Sequence, residues 1–440
     1  MFGFTMKVYG CQMNQYDADK IRTALIARGA REVDEDSADA VIFVGCSIRD
    51  KAEHKVWSEL GHYGVRWKRE HRPVVAMTGC IAQNVGVDMS KRYPWVRVVS
   101  GPRHIGLVPE AVEQALASDS RIYNLDDNPR ELCELAYAPL ERVYPWKASV
   151  MISHGCDNFC TYCIVPYVRG RFASRKPEEI LQEIRQLVDD GVKEISLLGQ
   201  NVDTYGKDLE NYSFADLLRD AAHVPGVKRL RFMTSYPTDF TEDVVKAIAE
   251  NPNICPAINL PVQAGNDRVL KKMNRRYTIE EYAKVVQCIR DGLPEVGLTT
   301  DLIVGFPGET EAEFEDSMEV LRRFRFDQVH TAAYSRRQGT PAAVMPDQIP
   351  EEEKNRRLNE VNRLQTQIAR EINAPLVGKR YEVLVDGRAP KGNFLQGRNM
   401  IDKVILFEGD EALIGSFVTV EVTEADSWSL KGRIVESANG

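Results

Sequence analysis

The sequence predicts an α/β chain in three parts: an N-terminal parallel α/β sheet, a central partial (β/α)6 barrel and a small C-terminal antiparallel β-barrel. Three observations predict it. Residues 1–120 alternate short apolar runs with helical patterns, the signature of a parallel sheet. From Lys147 to about Phe326, strands alternate with amphipathic helices at barrel-like intervals. That stretch is short of the roughly 250 residues of a full eight-fold barrel, so a six-fold partial barrel fits its length. After Pro375 the pattern changes to short alternating strands between Gly-rich turns. At about 150 residues per domain, 440 residues make roughly three domains. We place them at 1–120, 146–373 and 375–438, with a connector at 121–145.

Composition narrows the class. With 43% hydrophobic and 28% charged residues the chain reads as a globular protein. It contains no run of 18 apolar residues, and Met1-Phe2-Gly3-Phe4-Thr5-Met6-Lys7 lacks the regions of a signal peptide, so a cytoplasmic protein with no membrane partner is expected. Nine cysteines, an odd number spread over a long chain, disfavour a disulfide framework and favour metal or catalytic use. The net charge of −8 argues against indiscriminate nucleic-acid binding, so any RNA contact must come from local basic patches.

In the N-terminal part the strands are Met6 to Tyr9, Ala40 to Val44 and Val74 to Met77, and each leads into a Gly-Cys pair: Gly10-Cys11, Gly45-Cys46 and Gly79-Cys80. The carboxyl ends of parallel strands share one edge, where ligands bind, so three thiols converge there. A glycine before each cysteine lets the backbone turn tightly and approach a bulky ligand. The alternative is three unrelated buried cysteines, since free Cys is often core. The pattern suggests an iron–sulfur cluster with one open iron. Residues 121–145 form a charged, Pro-containing connector in which Cys133 has no partner spacing and reads as structural.

Gly155-Cys156-Asp157-Asn158-Phe159-Cys160-Thr161-Tyr162-Cys163 packs three thiols into eight residues with the spacing C-x3-C-x2-C. Three thiolates on one short loop hold three corners of a [4Fe–4S] cluster, whereas electron-carrying clusters take four cysteines. One iron is left open. A helix burying Cys156, Cys160 and Cys163 on one face is countered by Gly155, Asp157, Asn158 and Pro166, which favour a loop. Structural zinc would want a fourth ligand, and the only local candidate, His154, precedes the loop. Ala148 to Ser153 is the first barrel strand, Pro177 to Asp189 its helix and Glu194 to Leu198 the second strand. Barrel sites form where strands end. Leu198-Gly199-Gln200-Asn201-Val202, Phe232 to Pro237 with Ser235, Leu260 to Asn266, and Thr300 to Glu309 with Asp301 all fall at such ends. Asp301 and Glu309 also read as turn or helix-cap carboxylates. Cys255 and Cys288 have no cluster-like spacing and read as core.

Basic residues gather near this mouth: Arg169, Arg171, Arg175 and Lys176; Lys271, Lys272, Arg275 and Arg276; Arg336 and Arg337. Together they would frame the site against phosphates while bases are read inside. Pro350 to Asn373 is a long charged helix leading out of the barrel. The C-terminal strands are Arg380 to Val385, Lys403 to Phe407, Phe417 to Val422 and Trp428 to Ile434. Between the first two, Arg388, Lys391, Arg398 and Phe394 make a phosphate-and-stacking loop.

Met151 to Arg175 resembles the radical S-adenosylmethionine (SAM) superfamily, and within it the methylthiotransferases. Gly10 to Asn14, Cys46-Ser47-Ile48-Arg49 and Gly79-Cys80 resemble that family's N-terminal domain, and residues 375–440 resemble a TRAM domain, an OB-like RNA-binding barrel. The resemblance implies two [4Fe–4S] clusters: an auxiliary one on Cys11, Cys46 and Cys80, and one on Cys156, Cys160 and Cys163 whose open iron is chelated by SAM, the loop being the catalytic centre. It also implies SAM contacts from Gly199, Gln200 and Asn201, with Ser235 and Asp301 as further candidates. Reductive cleavage of SAM then gives a 5′-deoxyadenosyl radical, with electrons from a reductant such as flavodoxin or ferredoxin. The sequence departs from the family pattern at Val44-Gly45 (usually Asn-Thr), Phe172 (often Glu), Ala264 and Asn266 (LPVQSGS in the family).

The residues after Cys11 and Cys46 are similar to those of tRNA methylthiotransferases of the MiaB type. Those enzymes methylthiolate C2 of N6-isopentenyladenosine beside the anticodon, which implies a tRNA anticodon stem-loop as partner. Chemically, that C2–H is beyond ordinary acid–base catalysis near neutral pH, so a radical is required. An anticodon loop is single-stranded, so the base is splayed out at little unpairing cost. Two alternatives stay open: a methylthiotransferase for threonylcarbamoyl-adenosine or a ribosomal-protein aspartate, and a non-catalytic iron–sulfur RNA-binding protein.

Overall fold

The computed structural model describes residues 1–47, 50–125 and 144–437. Ile48, Arg49, Cys133 and most of the connector lie outside the described residues.

The N-terminal part is a six-stranded, all-parallel sheet. Its strands lie in the order Arg31–Glu32, Gly3–Val8, Ala40–Gly45, Val74–Gly79, Val96–Ser100, Ile122–Asn124. Every residue of the two central strands is buried. That is why they read as unbroken apolar runs, since helices cover both faces of a parallel sheet. The sequence pattern yields only three of the six strands. Val96–Ser100 is interrupted by Arg97, whose guanidinium bonds the Ser118 and Ser120 carbonyls. Ile122–Asn124 extends the sheet into the segment read from sequence as connector.

The central part has six parallel strands in two three-stranded sheets. One orders Arg229–Phe232, Glu194–Leu198 and Lys147–Met151; the other orders Ala257–Asn259, Gly297–Val304 and Gln328–Ala333. A bridge from Leu230 to Ile254 joins them, and helices packed outside make one continuous core, so this is a partial barrel. Helices begin where the chain supplies capping boxes, at Ser213 with Asp216, Thr278 with Glu281 and Thr310 with Glu313. Glu351–Asn373 then leads out of the barrel.

The C-terminal part is a closed five-stranded barrel. It differs from the sequence reading in one element: Leu395–Arg398, read as loop, is a strand paired on both sides. This barrel closes the floor of the central one. Arg229, fully buried, donates to the carbonyls of Arg398 and Glu382, both at 2.8 Å, and stacks on Phe417. Arg231 reaches the Asn399 carbonyl at 2.7 Å and Glu194 at 2.9 Å. Burial alone would push the Glu194 carboxyl up, but Arg231 and Lys147 outweigh it and hold it below its usual range. Gly297 is obligatory here, because a Cβ would lie 2.3 Å from the Ile401 carbonyl oxygen. Among the described residues no helix is long and apolar enough to cross a membrane.

Candidate functional site

Cys11 opens the helix Gln12–Ala27, Cys46 follows Ala40–Gly45, and Cys80 opens a short helix after Val74–Gly79. The sheet therefore brings the three thiols to one edge. Burial pushes the Cys80 thiol up, the thiols of Cys46 and Cys11 add to that, and Arg169 opposes it. The glycines are required: Gly10 has φ +113°, and a Cβ there would sit 2.4 Å from Cys46 Cβ and 2.9 Å from its Sγ. At Gly79, φ is +85° and a Cβ would lie 2.6 Å from the Gly45 carbonyl.

Cys156, Cys160 and Cys163 lie on an irregular loop between the first barrel strand and the helix Val165–Val168. Burial pushes the Cys156 thiol up to about 11 and the Cys163 thiol up to about 12, with Cys160 adding to both. The loop is stitched to the segment 272–275. Thr161 bonds the Lys272 and Met273 carbonyls, and Asn274 donates to the Asn158 and Phe159 carbonyls. Arg275 donates to Cys160 Sγ at 3.6 Å, to the Pro261 carbonyl at 2.8 Å and to Tyr277. Gly155, at φ +70°, lies against the Gly170 and Arg171 carbonyls, where no Cβ fits.

The two triads meet across the interface between the first two domains. Met13, Tyr16, Met151 and Leu198 form one apolar cluster with Cys11 on its flank, and Gln200 donates to the Met13 sulfur. Glu183 gathers Lys20 at 2.8 Å, Arg175 at 2.9 Å and Tyr16 at 3.2 Å. Arg169, just beyond Cys163, donates to Cys80 Sγ at 3.3 Å, Asn14 at 2.9 Å and Asp17 at 3.3 Å. A cavity of about 990 Å³ runs from Gln12 and Tyr16 into the barrel, past Met233, Asn259, Asp301 and His330, to Arg398 and Asp402 on the floor. That volume is at the upper end of small-molecule sites.

The remaining sequence candidates fall as follows. Gly199, Gln200 and Asn201 follow the second strand, and a Cβ at Gly199 would lie 2.7 Å from Ser153 Oγ. Ser235 donates to Asp203 at 3.2 Å. Asp301 lies beside His330 in strand register, accepts from Asn259, and is raised by burial. Glu309 serves the fold, accepting from the Gly305 amide at 2.6 Å and Arg357 at 2.8 Å. Asn266 caps the helix Asp267–Lys272, and Ala264 is core. Cys255 is fully buried and Cys288 packs at the edge of the barrel core.

Two expectations are corrected. Arg169, Arg175 and Arg275 are not phosphate contacts at the mouth, because all three are buried in the bonds just described; Arg171, Lys176, Lys271, Arg276 and Arg336 remain exposed. In the C-terminal part Arg388 and Arg398 lie at strand ends rather than in the loop and pair with Glu411 and Asp402, while Lys391 stays exposed in the loop. Sequence reading missed Asp203, whose carboxyl burial pushes up to about 8 although Tyr236 N–H and Ser235 bond it. Its only signal was a carboxylate two residues past Asn201.

The donor sets fit the implied groups. Ser47 Oγ, Thr78 Oγ1 and Arg169 Nη1 beside the sheet triad, and Ser153 Oγ, Gln200 Oε1 and Asn201 Oδ1 at the strand ends, are buried polar atoms without a partner. Such atoms call for an acceptor or donor brought by a bound group. Among the described residues no three His, Cys, Asp or Glu side chains are grouped for a single metal ion. A [4Fe–4S] cluster takes each thiolate on a separate iron and so does not need three donors around a single ion.

Three family descriptions match the chain: "Uncharacterized protein family UPF0004" at residues 3–101, "Radical SAM superfamily" at 150–321 and "TRAM domain" at 375–435. Among solved structures, the radical S-adenosylmethionine methyltransferase TsrM from Kitasatospora setae shares the fold at TM-score 0.56, with 14% identity over 78% of this chain and 74% of that one. The cobalamin-dependent S-adenosylmethionine radical enzyme OxsB does so at TM-score 0.54, with 12% identity over 83% and 56%. A tRNA-2-methylthio-N(6)-dimethylallyladenosine synthase from Acetivibrio thermocellus is 41% identical over 98% of this chain and 91% of its own length. One from Clostridium beijerinckii is 44% identical over 98% and 95%. On this likeness along nearly its whole length, the chain belongs to the tRNA-2-methylthio-N(6)-dimethylallyladenosine synthase family of radical SAM methylthiotransferases.

Proposed function

We propose that this chain attaches a methylthio group to C2 of N6-dimethylallyl-(isopentenyl-)adenosine next to the anticodon of tRNA, in the cytoplasm, with electrons from a flavodoxin or ferredoxin. The family uses SAM and [4Fe–4S] clusters. Cys156, Cys160 and Cys163 hold the cluster that binds SAM; Cys11, Cys46 and Cys80 hold the auxiliary one. When bound, these groups supply the radical that removes the C2 hydrogen and the sulfur and methyl that replace it.

The chain's own residues do the placing. Gly199 keeps the backbone close to Ser153, and Gln200 and Asn201 offer buried oxygens to the SAM amino group. Asp203 and Ser235 tie the ends of the second and third strands together and so fix that binding edge. Arg171, Lys176, Lys271, Arg276 and Arg336 are the exposed cations for the RNA backbone. The cavity beside Met233 and Asn259 takes the splayed base.

The observation that carries the reading is the meeting of the triads. Arg169 bonds Cys80 while the Gly170 carbonyl accepts from the Cys156 amide, so two adjacent residues link the two sulfur-rich sites. The reconstituted enzyme, given SAM, dithionite and tRNA bearing dimethylallyladenosine, is expected to yield the 2-methylthio nucleoside by mass spectrometry. Comparable turnover of threonylcarbamoyl-tRNA or of a ribosomal protein would overturn the choice of substrate.

A further inference from the structure

Two arginines cross the interface between the first two domains in opposite directions. Arg103, from the N-terminal domain, donates to the carbonyls of Arg169 at 2.8 Å and Arg171. Gly170 permits this approach, since a Cβ there would lie 2.7 Å from Arg103 Nε. In return Arg169 inserts its guanidinium into the N-terminal domain, where it is 2% exposed. Nε faces Cys80 Sγ at 3.3 Å, and Nη2 is shared by Asn14 and Asp17. Nη1 is buried with no protein partner.

A guanidinium is a rigid fork of five N–H donors, and a buried donor without an acceptor is costly to retain. The acceptors an iron–sulfur cluster brings are thiolate and sulfide, both of which suit an N–H donor. Resting on the ligand assignment above, we propose that Arg169 is a positioning residue of the auxiliary cluster, donating to the Cys80 sulfur and, through Nη1, to cluster sulfur. It also ties that cluster to the SAM-binding loop, because the neighbouring Gly170 carbonyl accepts from the Cys156 amide at 3.2 Å. Hydrogen bonds to cluster sulfur and nearby positive charge favour the reduced, more negative cluster and raise its potential.

The test uses the full chain carrying Cys156→Ala, Cys160→Ala and Cys163→Ala, reconstituted anaerobically with iron and sulfide so that only the sheet-borne cluster loads. Its midpoint is measured by EPR-monitored titration with Arg169 intact, with Arg169→Lys and with Arg169→Met. In the methionine variant the reduced-to-oxidised ratio at fixed potential is expected to fall at least tenfold, a midpoint 59 mV lower for one electron. Lysine, which keeps the charge and loses the fork, is expected to lie between. If the methionine variant does not fold because Asp17 loses its bond to Arg169, the Asp17→Asn, Arg169→Met pair is expected to show the same fall. Equal midpoints in a loaded cluster overturn the role of Arg169 alone, since packing by itself would not move a potential. Failure of the Arg169-intact chain to load iron overturns the ligand assignment, and the proposal with it.

Discussion

The two cysteine triads carry three thiols each and are built in opposite ways. Cys156, Cys160 and Cys163 are neighbours in sequence on a loop held by bonds to 272–275. Cys11, Cys46 and Cys80 are neighbours only because three parallel strands end at one edge. Each nevertheless has one buried arginine donating to one sulfur, Arg275 to Cys160 and Arg169 to Cys80. The difference teaches where each site is fragile: the loop triad at its stitches, the sheet triad at strand register.

Removing each triad separately gives the largest effect. Cys156→Ala, Cys160→Ala and Cys163→Ala together are expected to leave about four irons of about eight and abolish 5′-deoxyadenosine formation. Cys11→Ala, Cys46→Ala and Cys80→Ala together are expected to keep SAM cleavage and abolish methylthiolation of tRNA. Loss of SAM cleavage in both sets would erase the distinction. Iron analysis and nucleoside mass spectrometry decide it.

A third buried arginine sharpens the comparison, because it lies at the far end of the barrel from both triads. Arg229→Met strands two carbonyls and is expected to cost about 3 kcal/mol of stability with both clusters still loading, measured by denaturant unfolding and iron content. A smaller effect separates register from stitching. Gly79→Ala forces a side chain into the left-handed region against the Gly45 carbonyl. It is expected to cost about 2 kcal/mol and to lower auxiliary iron only. Gly155→Ala, pressed on the Arg171 carbonyl, is expected to lower loading of the loop triad only.

A separate effect is a pH slope from Asp203, which belongs to neither triad. Its folded carboxyl sits at about 8, above the unfolded value near 4, so the folded state binds the proton more tightly. Its contribution is therefore fully present at low pH and is lost as pH rises from about 4 to 8. Asp203→Asn is expected to flatten the stability profile over that window by at most about 1.4 kcal/mol per pH unit. Thermal unfolding of both forms across pH 5 to 8 checks it.

How far the molecule was legible follows the same division. Every ligand candidate was readable, because Gly-Cys pairs after apolar runs and C-x3-C-x2-C are local patterns. The ends of the third and fourth barrel strands were readable but their bounds were not, since Arg229 and Arg231 break the apolar run and Ala257–Asn259 is only three residues long. Arg169 and Arg275 were misread for a related reason. A charge count treats arginine as solvated, and only the packed structure shows that thiols, carboxylates and carbonyls surround these two. The C-terminal loop was misread because Glu411 and Asp402, its partners, are brought near by folding rather than by a charge pattern.

The floor bonds of Arg229 and Arg231 bear on how the chain is made. The carbonyls they need belong to Glu382, Arg398 and Asn399, which leave the ribosome after the six barrel strands are complete. Until then the barrel has an open base with Lys147, Arg229 and Arg231 around Glu194, and it closes when about the last seventh of the polypeptide docks beneath it. A nascent chain arrested before residue 399 therefore presents a charged, unsealed base in which Arg231 still lacks its carbonyl acceptor at Asn399.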